Sequence, residues 1–537
     1  MNISLDEQQI LKIFFSFLKS NYSDKELFKV LKVVNVFFKF EIESFLPTEW
    51  MTITYEETQS LFSNLNEKKN TRKINGVYYT EKDIVFYILK LCYKLYSLKD
   101  VEQINNKDIN SFSFEDSKQL SIFDPTCGSG AFLLAGIEIK MEELKKTSFE
   151  KSDVENIVKT IYGNDLDEIS VLITKIRLFI AVLHNFGISY INKLPTIINK
   201  NITCSDILRC KIKQKFDVVL GNPPYVENRI EKKSVLYKQY GNLYADVLSH
   251  SLSFLNENGV FGFIIPLSFI ATPRMSKLRE DISLDLKTQI VLSYADRPGC
   301  LFSGVHQKLN ILIGTVNGTG AVYTNNYQYF YKEQRTKLFQ KLSTVRNRFV
   351  FQSFIPKLGT KTDISIFQRI SKQQRKYDLK QLVGEHKLYL NMRACFFIKS
   401  FISPHVTGEY KELLFNSIEE RNYAYCLLNS SLFWWFWICV SDCWHITSKE
   451  FSYFKFPENY DSKTVFILSQ NLENKLEKTK KYIGTKQTEY EYKHKLCIAE
   501  IHAIDDYINA LYGLSKIESD YIKNFALPYR MSEGMLV

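Results

Sequence analysis

Between about residues 72 and 315 short apolar runs alternate with longer amphipathic stretches, and that rhythm leaves few folds open to the chain. A strand buried on both faces reads as an unbroken apolar run, and the helix that follows it must cover the sheet. Repetition of the pair builds a mostly parallel sheet with helices on both sides. The spacing predicts strands at 121–124, 161–165, 197–203, 217–220, 259–265, 288–294 and 309–314, with helices over 131–145, 168–184 and 244–255. The fold class expected is α/β, a Rossmann-like doubly wound sheet.

A chain of 537 residues exceeds one ordinary core, and its flanks follow other patterns. Over 1–70, Ile10, Ile13, Phe14, Phe17 and Leu18, then Leu27, Val30, Leu31, Val34 and Phe37, recur at helical spacing. Past 325 the alternation stops. Residues 329–400 carry 16 Lys/Arg against Glu333, Asp363, Asp378 and Glu385, a net +12 that accounts for the whole +11 of the chain. Aromatics such as Phe339, Phe354, Phe367 and Tyr377 are interleaved there. Such an excess favours an acidic partner, nucleic acid above all. Four segments are expected: a helical one at 1–70, the α/β domain at 71–325, a mixed α+β one at 326–462 and a helical one at 463–537. The aromatic run from Phe433 to Trp437 reads as core.

The first residues hold acids and no basic run ahead of an apolar core, so no secretory signal is expected. The longest uncharged apolar run, 427–440, is too short to span a bilayer and is broken by Asn429, Ser430 and Ser431. Of ten cysteines only Cys439 and Cys443 lie close, and nothing completes a zinc set. Reduced thiols, a cytoplasmic location and no metal are expected.

Four strand ends carry the chemistry. The first, SIFDPTCGSGAFLLAGIE at 121–138, runs through glycines into a helix. Glycine admits a ligand close to the backbone, and a helix N-terminus offers free N–H groups. Position 133 is Leu, so the G-x-G-x-x-G dinucleotide fingerprint is not met. The second places Asp165 and Asp167 where a carboxylate can hold ribose hydroxyls, or cap a helix. The third places Asp206, able to accept from an exocyclic amine or, again, to cap. The fourth is GNPPY at 221–225; with 12 prolines in the chain, NPPY arises by chance on the order of once per thousand such sequences. Pro223 and Pro224 hold the loop rigid. The Asn222 carboxamide oxygen and the Pro223 carbonyl can accept both hydrogens of one planar amine, and Tyr225 offers a ring face for stacking. Two such acceptors push a conjugated amine toward a tetrahedral nitrogen with a free lone pair. The alternative is a rigid loop without chemistry.

These motifs resemble the S-adenosylmethionine-dependent adenine-N6 DNA methyltransferases of bacterial restriction-modification systems. Residues 222–225 fit that family's [NDS]-PP-[YFW] signature, and 124–133 fit its DPxCGSGxFL cofactor loop. Upstream, NGVYYTEKDIV at 75–85 is similar to its GxYYTP segment, with Glu81 where the family usually has Pro. This segment, then the cofactor loop, then NPPY, then the basic region is the gamma order of the Taq-type enzymes. The resemblance implies S-adenosylmethionine as cofactor, with Tyr79 and Thr80 at its methionine moiety. It puts Asp124, Thr126, Cys127 and Gly128 around the amino-acid end, Asp165 on the ribose, Asp206 on the adenine amine and Ile207 over that ring. Asn222, Pro223, Pro224 and Tyr225 are the implied catalytic residues, and Phe302 would pack the other face of a flipped-out target base. Residues 326–462 would be the target-recognition domain, with 427–442 similar to its end. The implied partners are double-stranded DNA and, as a separate chain, a cognate restriction endonuclease; a monomer without membrane attachment is expected.

Amino-methyltransferases acting on an rRNA base or a protein glutamine share the loop but generally lack a long basic half. A fused nuclease is not expected, because the roughly 75 residues ahead of the YYT segment contain no Pro-Asp pair. Intact Asn222, Tyr225 and cofactor loop argue against a DNA-binding module with a dead transferase.

Overall fold

The structure, a computed structural model, describes residues 4–67, 80–226, 240–405, 409–484 and 489–532. Among these, nine strands form one sheet: β1 Ile122–Asp124, β2 Ile161–Asp165, β3 Ile202–Cys204, β4 Phe216–Gly221, β5 Leu255–Pro266, β6 Thr288–Tyr294, β7 Leu309–Thr315, β8 Val322–Thr324 and β9 Val345–Asn347. Their order is β3-β2-β1-β4-β5-β7-β6-β8-β9. The first five strands run parallel, and Ile122 of β1 lies beside Ile161 on one side and Val218 on the other. β7 is antiparallel to both of its neighbours. The fold is α/β and doubly wound, as the alternation requires.

Both faces of the sheet are covered, which is why its strands are mostly apolar; β6 and β7 are buried at every position, their polar residues Gln289, Ser293 and Asn310 included. Alternate residues of β4 and β5 serve two cores. Val218, Leu220, Val260 and Ile264 pack with helices Lys82–Leu98, Ala131–Lys145 and Glu168–Phe186. Val219, Phe261 and Phe263 pack with Leu243–Leu252, Ser276–Asp285 and the C-terminal half. Helix Glu168–Phe186 is long and apolar enough to cross a membrane, and 72% of its apolar stretch is buried inside the fold.

The helical N-terminus belongs to the first core. Helices Leu5–Asn21 and Asp24–Val34 each open on a capping box, Ser4 with Glu7 and Ser23 with Glu26. Phe14 and Phe37 meet Phe179 edge-on at 6.4 and 6.1 Å, fastening this segment to helix Glu168–Phe186.

Two readings are corrected. Residues 197–201 are not strand but the end of helix Leu194–Asn201, which Pro195 helps to start; only Ile202–Cys204 pairs with β2. The β-branched pair Ile197 and Ile198 imitates a strand. The sheet also continues past 325: β8 lies along β6, and β9 pairs with β8, so residues 345–347 extend the nine-stranded sheet.

Beyond β9 a three-stranded antiparallel sheet forms from β10 His386–Asn391, β11 Ser400–Phe401 and β12 Tyr410–Phe415. Helix Ile418–Asn429 packs against it and leads into Ser431–Val440, where Trp434, Trp435 and Trp437 are at most 1% exposed and form core as expected. The interleaved aromatics Phe339, Phe354, Phe367 and Tyr377 are also buried. Part of the basic excess is used inside the fold: buried Lys357 donates to Ser441 O, and Arg369 and Arg375 pair with Glu518 and Glu420. Lys332, Lys337, Lys341, Arg346, Lys361, Lys372, Lys376 and Lys380 are exposed.

Candidate active site

From β1 the chain winds outward through β2 and β3, then returns to β4 on the other side of β1. The carboxyl ends of β1 and β4 therefore flank a topological switch point, where a crevice opens in such sheets. Asp124, Asp165 and Gly221 end their strands on this edge, with Asp206 two residues beyond β3 and Asn222 directly after Gly221.

Asp124 is 2% exposed, and its Oδ1 accepts from Thr126 N at 3.0 Å. Burial pushes its carboxyl well above the ordinary range, opposed by the Thr126 N–H and reinforced by nearby Asp165. Room for this carboxylate exists because β4 ends in glycine: a Cβ on Gly221 would stand 2.7 Å from Asp124 Oδ1. The turn that follows needs left-handed backbone at Gly128 (φ +54°) and Gly130 (φ +79°). A Cβ at Gly128 would meet nothing within 4 Å, so open space lies against the loop. The Thr126 hydroxyl is buried with no hydrogen-bond partner among the described residues, a cost that a bound polar group would remove. Burial, and after it the nearby Asp165 and Asp124, also raises the Cys127 thiol well above its usual range, which disfavours the thiolate.

Asp165 accepts from Gly128 N at 2.8 Å through Oδ2 and from Asp167 N at 2.9 Å through Oδ1. Burial raises its carboxyl, against the pull of those two N–H groups. Capping of helix Glu168–Phe186 falls to Asp167, which accepts from Ser170 N, so Asp165 is left to brace the glycine loop.

At the end of β4 the Asn222 carboxamide is held at both ends. Its Nδ2 donates to Thr80 Oγ1 at 3.1 Å, and its Oδ1 accepts from the Tyr225 hydroxyl at 2.5 Å. The Tyr225 oxygen also lies 3.1 Å from Ile264 O, and its ring meets Tyr244 edge-on at 6.2 Å. A carboxamide oxygen carries two lone pairs and can accept from two donors at once. Pro223 is buried and Pro224 half-buried.

Tyr79 lies outside the described residues. Asp206 accepts from Leu208 N at 3.1 Å and pairs with Arg209 at 3.1 Å, serving its own turn. Ile207 is 6% exposed in the core that holds Phe123 and Phe216. Phe302 is 2% exposed, within the first core.

Two supporting residues escaped the sequence reading. Asn164 is 1% exposed on β2; its Nδ2 donates to Pro125 O and Ser205 O, and its Oδ1 accepts from Thr203 and Ser205 hydroxyls. It ties the loops after β1 and β3 together. Arg177 donates to Ser129 O at 2.6 Å and to Gln59 Oε1 at 2.8 Å, joining the glycine loop to the N-terminal helices. Neither sits in a recognisable motif, and their partners lie roughly 40 to 118 residues away.

Residues 159–298 match the family described as Eco57I restriction-modification methylase. The chain is 25% identical over 238 residues to the Type II methyltransferase M.BstVI of Geobacillus stearothermophilus, covering 42% of this chain and 39% of that one. It is 23% identical over 240 residues to the Type II methyltransferase M.VspI of Vibrio sp. (strain 343), covering 43% and 45%. The matches thus span less than half of these relatives' length. In fold it is similar to the Type IIL restriction-modification enzyme MmeI, solved in complex with DNA: TM-score 0.53 at 13% identity, over 97% of this chain and 92% of that one.

Proposed function

We propose that this chain, a relative of the restriction-modification DNA methyltransferases, transfers a methyl group from S-adenosylmethionine to the N6 amine of a flipped-out adenine in double-stranded DNA. The observation that carries the reading is the Asn222 carboxamide, locked by Thr80 and Tyr225 beside the glycine loop that ends β1. The loop residues suit the cofactor: Thr126 offers a buried unpartnered hydroxyl, Gly128 open space, and Asp124 a buried acid for the ligand's ammonium. Bound there, S-adenosylmethionine supplies an electrophilic methyl group. The protein's own part is positional and electrostatic. Asn222 Oδ1 and the Pro223 carbonyl accept the two amine hydrogens, and the Tyr225 ring supports the base. Extrusion of that base from the duplex costs a few kcal/mol, on the order of one stacking and pairing step. Exposed Lys and Arg of 329–400 supply phosphate contacts that hold the register. No general base is needed before transfer, because the proton leaves afterwards.

The test uses purified protein, S-adenosylmethionine and plasmid DNA that lacks adenine methylation, with nucleoside mass spectrometry as readout. N6-methyladenine is expected, and Asn222→Ala or Tyr225→Ala should lower the rate while cofactor binding survives. Methylated cytosine alone, label in RNA or protein instead of DNA, or an undiminished rate in either variant would overturn the reading.

A further inference from the structure

We infer that Glu81, Asp83 and Arg335 form an ionic clamp that positions Asn222, so that a residue of the basic C-terminal half sets the geometry of the target-amine site. The inference rests on the reading of Asn222 as an acceptor of the target amine. Glu81 is the N-cap residue of helix Lys82–Leu98, yet its side chain makes no capping bond. Its Oε1 instead accepts from Ser303 N at 2.8 Å and Ser303 Oγ at 2.5 Å, on the loop between β6 and β7. Its Oε2 faces the Arg335 guanidinium at 3.0 Å. Asp83 takes the same guanidinium as a fork, with Nε to Oδ2 at 2.7 Å and Nη2 to Oδ1 at 3.0 Å. Nη1 donates to Cys300 O at 3.0 Å.

Every nitrogen of Arg335 is thus engaged, and its side chain is only 14% exposed. A fork of this kind is geometrically specific in a way that an ammonium cannot copy. Arg335 Nη2 is shared between Glu81 and Asp83, so without it two carboxylates would face each other across the same space. The residue before Glu81 is Thr80, whose hydroxyl accepts from Asn222 Nδ2. The clamp therefore fixes the 80–83 backbone, Thr80 holds the carboxamide, and the loop that carries Phe302 is tied to the same point. Where the resembling family usually has a rigid Pro, this chain has an acid held from two sides.

Arg335 and Glu81 are positioning residues, so the test separates rate from binding. Single-turnover methylation of plasmid DNA is measured at saturating S-adenosylmethionine and DNA, with dissociation constants for both ligands. Arg335→Gln is expected to slow transfer about 10- to 100-fold, the scale of a misplaced acceptor, with S-adenosylmethionine affinity within about twofold. In an Asn222→Ala background the same change should cost less than about twofold, because the clamp acts through Asn222. If Arg335→Gln fails to fold, Arg335→Lys, which keeps the charge but not the fork, is read in the same way. Weaker DNA binding with an unchanged saturated rate, or equal losses with and without Asn222, overturns the clamp while leaving the amine site standing. A wild-type chain that methylates no DNA, or Asn222→Ala at full rate, overturns the amine site and the clamp with it.

Discussion

Replacing Asp124 by Asn should make the free protein no less stable at neutral pH and yet weaken its binding of S-adenosylmethionine. The two side chains have nearly the same shape, and Asn keeps the oxygen that accepts from Thr126 N. What it loses is the charge. Asp124 is 2% exposed, and among the described residues no ion pair neutralises it. Burial, and after it the charge of Asp165, raises its pKa well above the ordinary carboxylate value, while the Thr126 N–H pulls the other way. The sign follows from linkage. Below the ordinary carboxylate range folded and unfolded chains both hold the proton, and the fold carries no penalty. As pH rises, the unfolded chain ionises first, so stability falls until the folded pKa is passed. Asn is neutral throughout and escapes that loss.

Ligand binding runs the opposite way, because the ammonium of S-adenosylmethionine wants the ionised acid. A charge-assisted hydrogen bond contributes about 1.5–3 kcal/mol, which converts to about 10- to 150-fold in affinity. Calorimetric titration between pH 5 and 7.5 stays below the range, about 7.7–8.0, in which the ligand's own amine titrates. Wild-type affinity should climb with pH, because the raised carboxyl must give up its proton to pair with the ammonium, and the variant should be weaker with a flatter profile. A variant that binds within twofold of wild type, or that is less stable at pH 7.5, would refute this account of the β1 terminus.

Gly221→Ala places a Cβ 2.7 Å from Asp124 Oδ1, so the carboxylate must move by several tenths of an ångström. The expected cost is about 1–3 kcal/mol in denaturant unfolding, with a loss of S-adenosylmethionine affinity that Asp124→Asn makes smaller. Asn164→Ala removes the carboxamide that bonds Pro125 O and Ser205 O at 3.3 and 2.9 Å. Unfolding should come about 1–3 kcal/mol earlier and cofactor affinity should drop, although Asn164 lies 1% exposed beneath the loops; unchanged affinity would show that the two loops do not need this tie.

What was legible in the sequence is what local backbone and unusual residue types dictate. The strand at 288–294 is legible because a strand buried on both faces carries an apolar centre, here Ile290, Val291 and Leu292, and the one at 161–165 because it runs into an acidic strand end before a long helix. The glycine loop and NPPY stand out because positive φ and paired prolines are rare demands that few residues meet. β8 and β9 are not legible because three residues carry no period and neither runs into a glycine turn of the kind that marks β1, a strand of the same length.

The supporting contacts were illegible for another reason. Arg177 and Gln59 are 118 residues apart and Arg335 and Asp83 are 252 apart, and no local pattern encodes such pairs. Glu81 shows the consequence most clearly. Against a family pattern it reads as a small defect, a missing proline. In the fold it is one end of an ionic network that reaches Ser303 and Arg335 and borders the hydroxyl that holds Asn222. A proline stiffens a segment by restricting its own φ, whereas an acid stiffens it only if distant partners arrive. The rigidity of the 80–83 segment is therefore conditional on the β8–β9 connection that carries Arg335 being in place, a dependence that a rigid ring would not create.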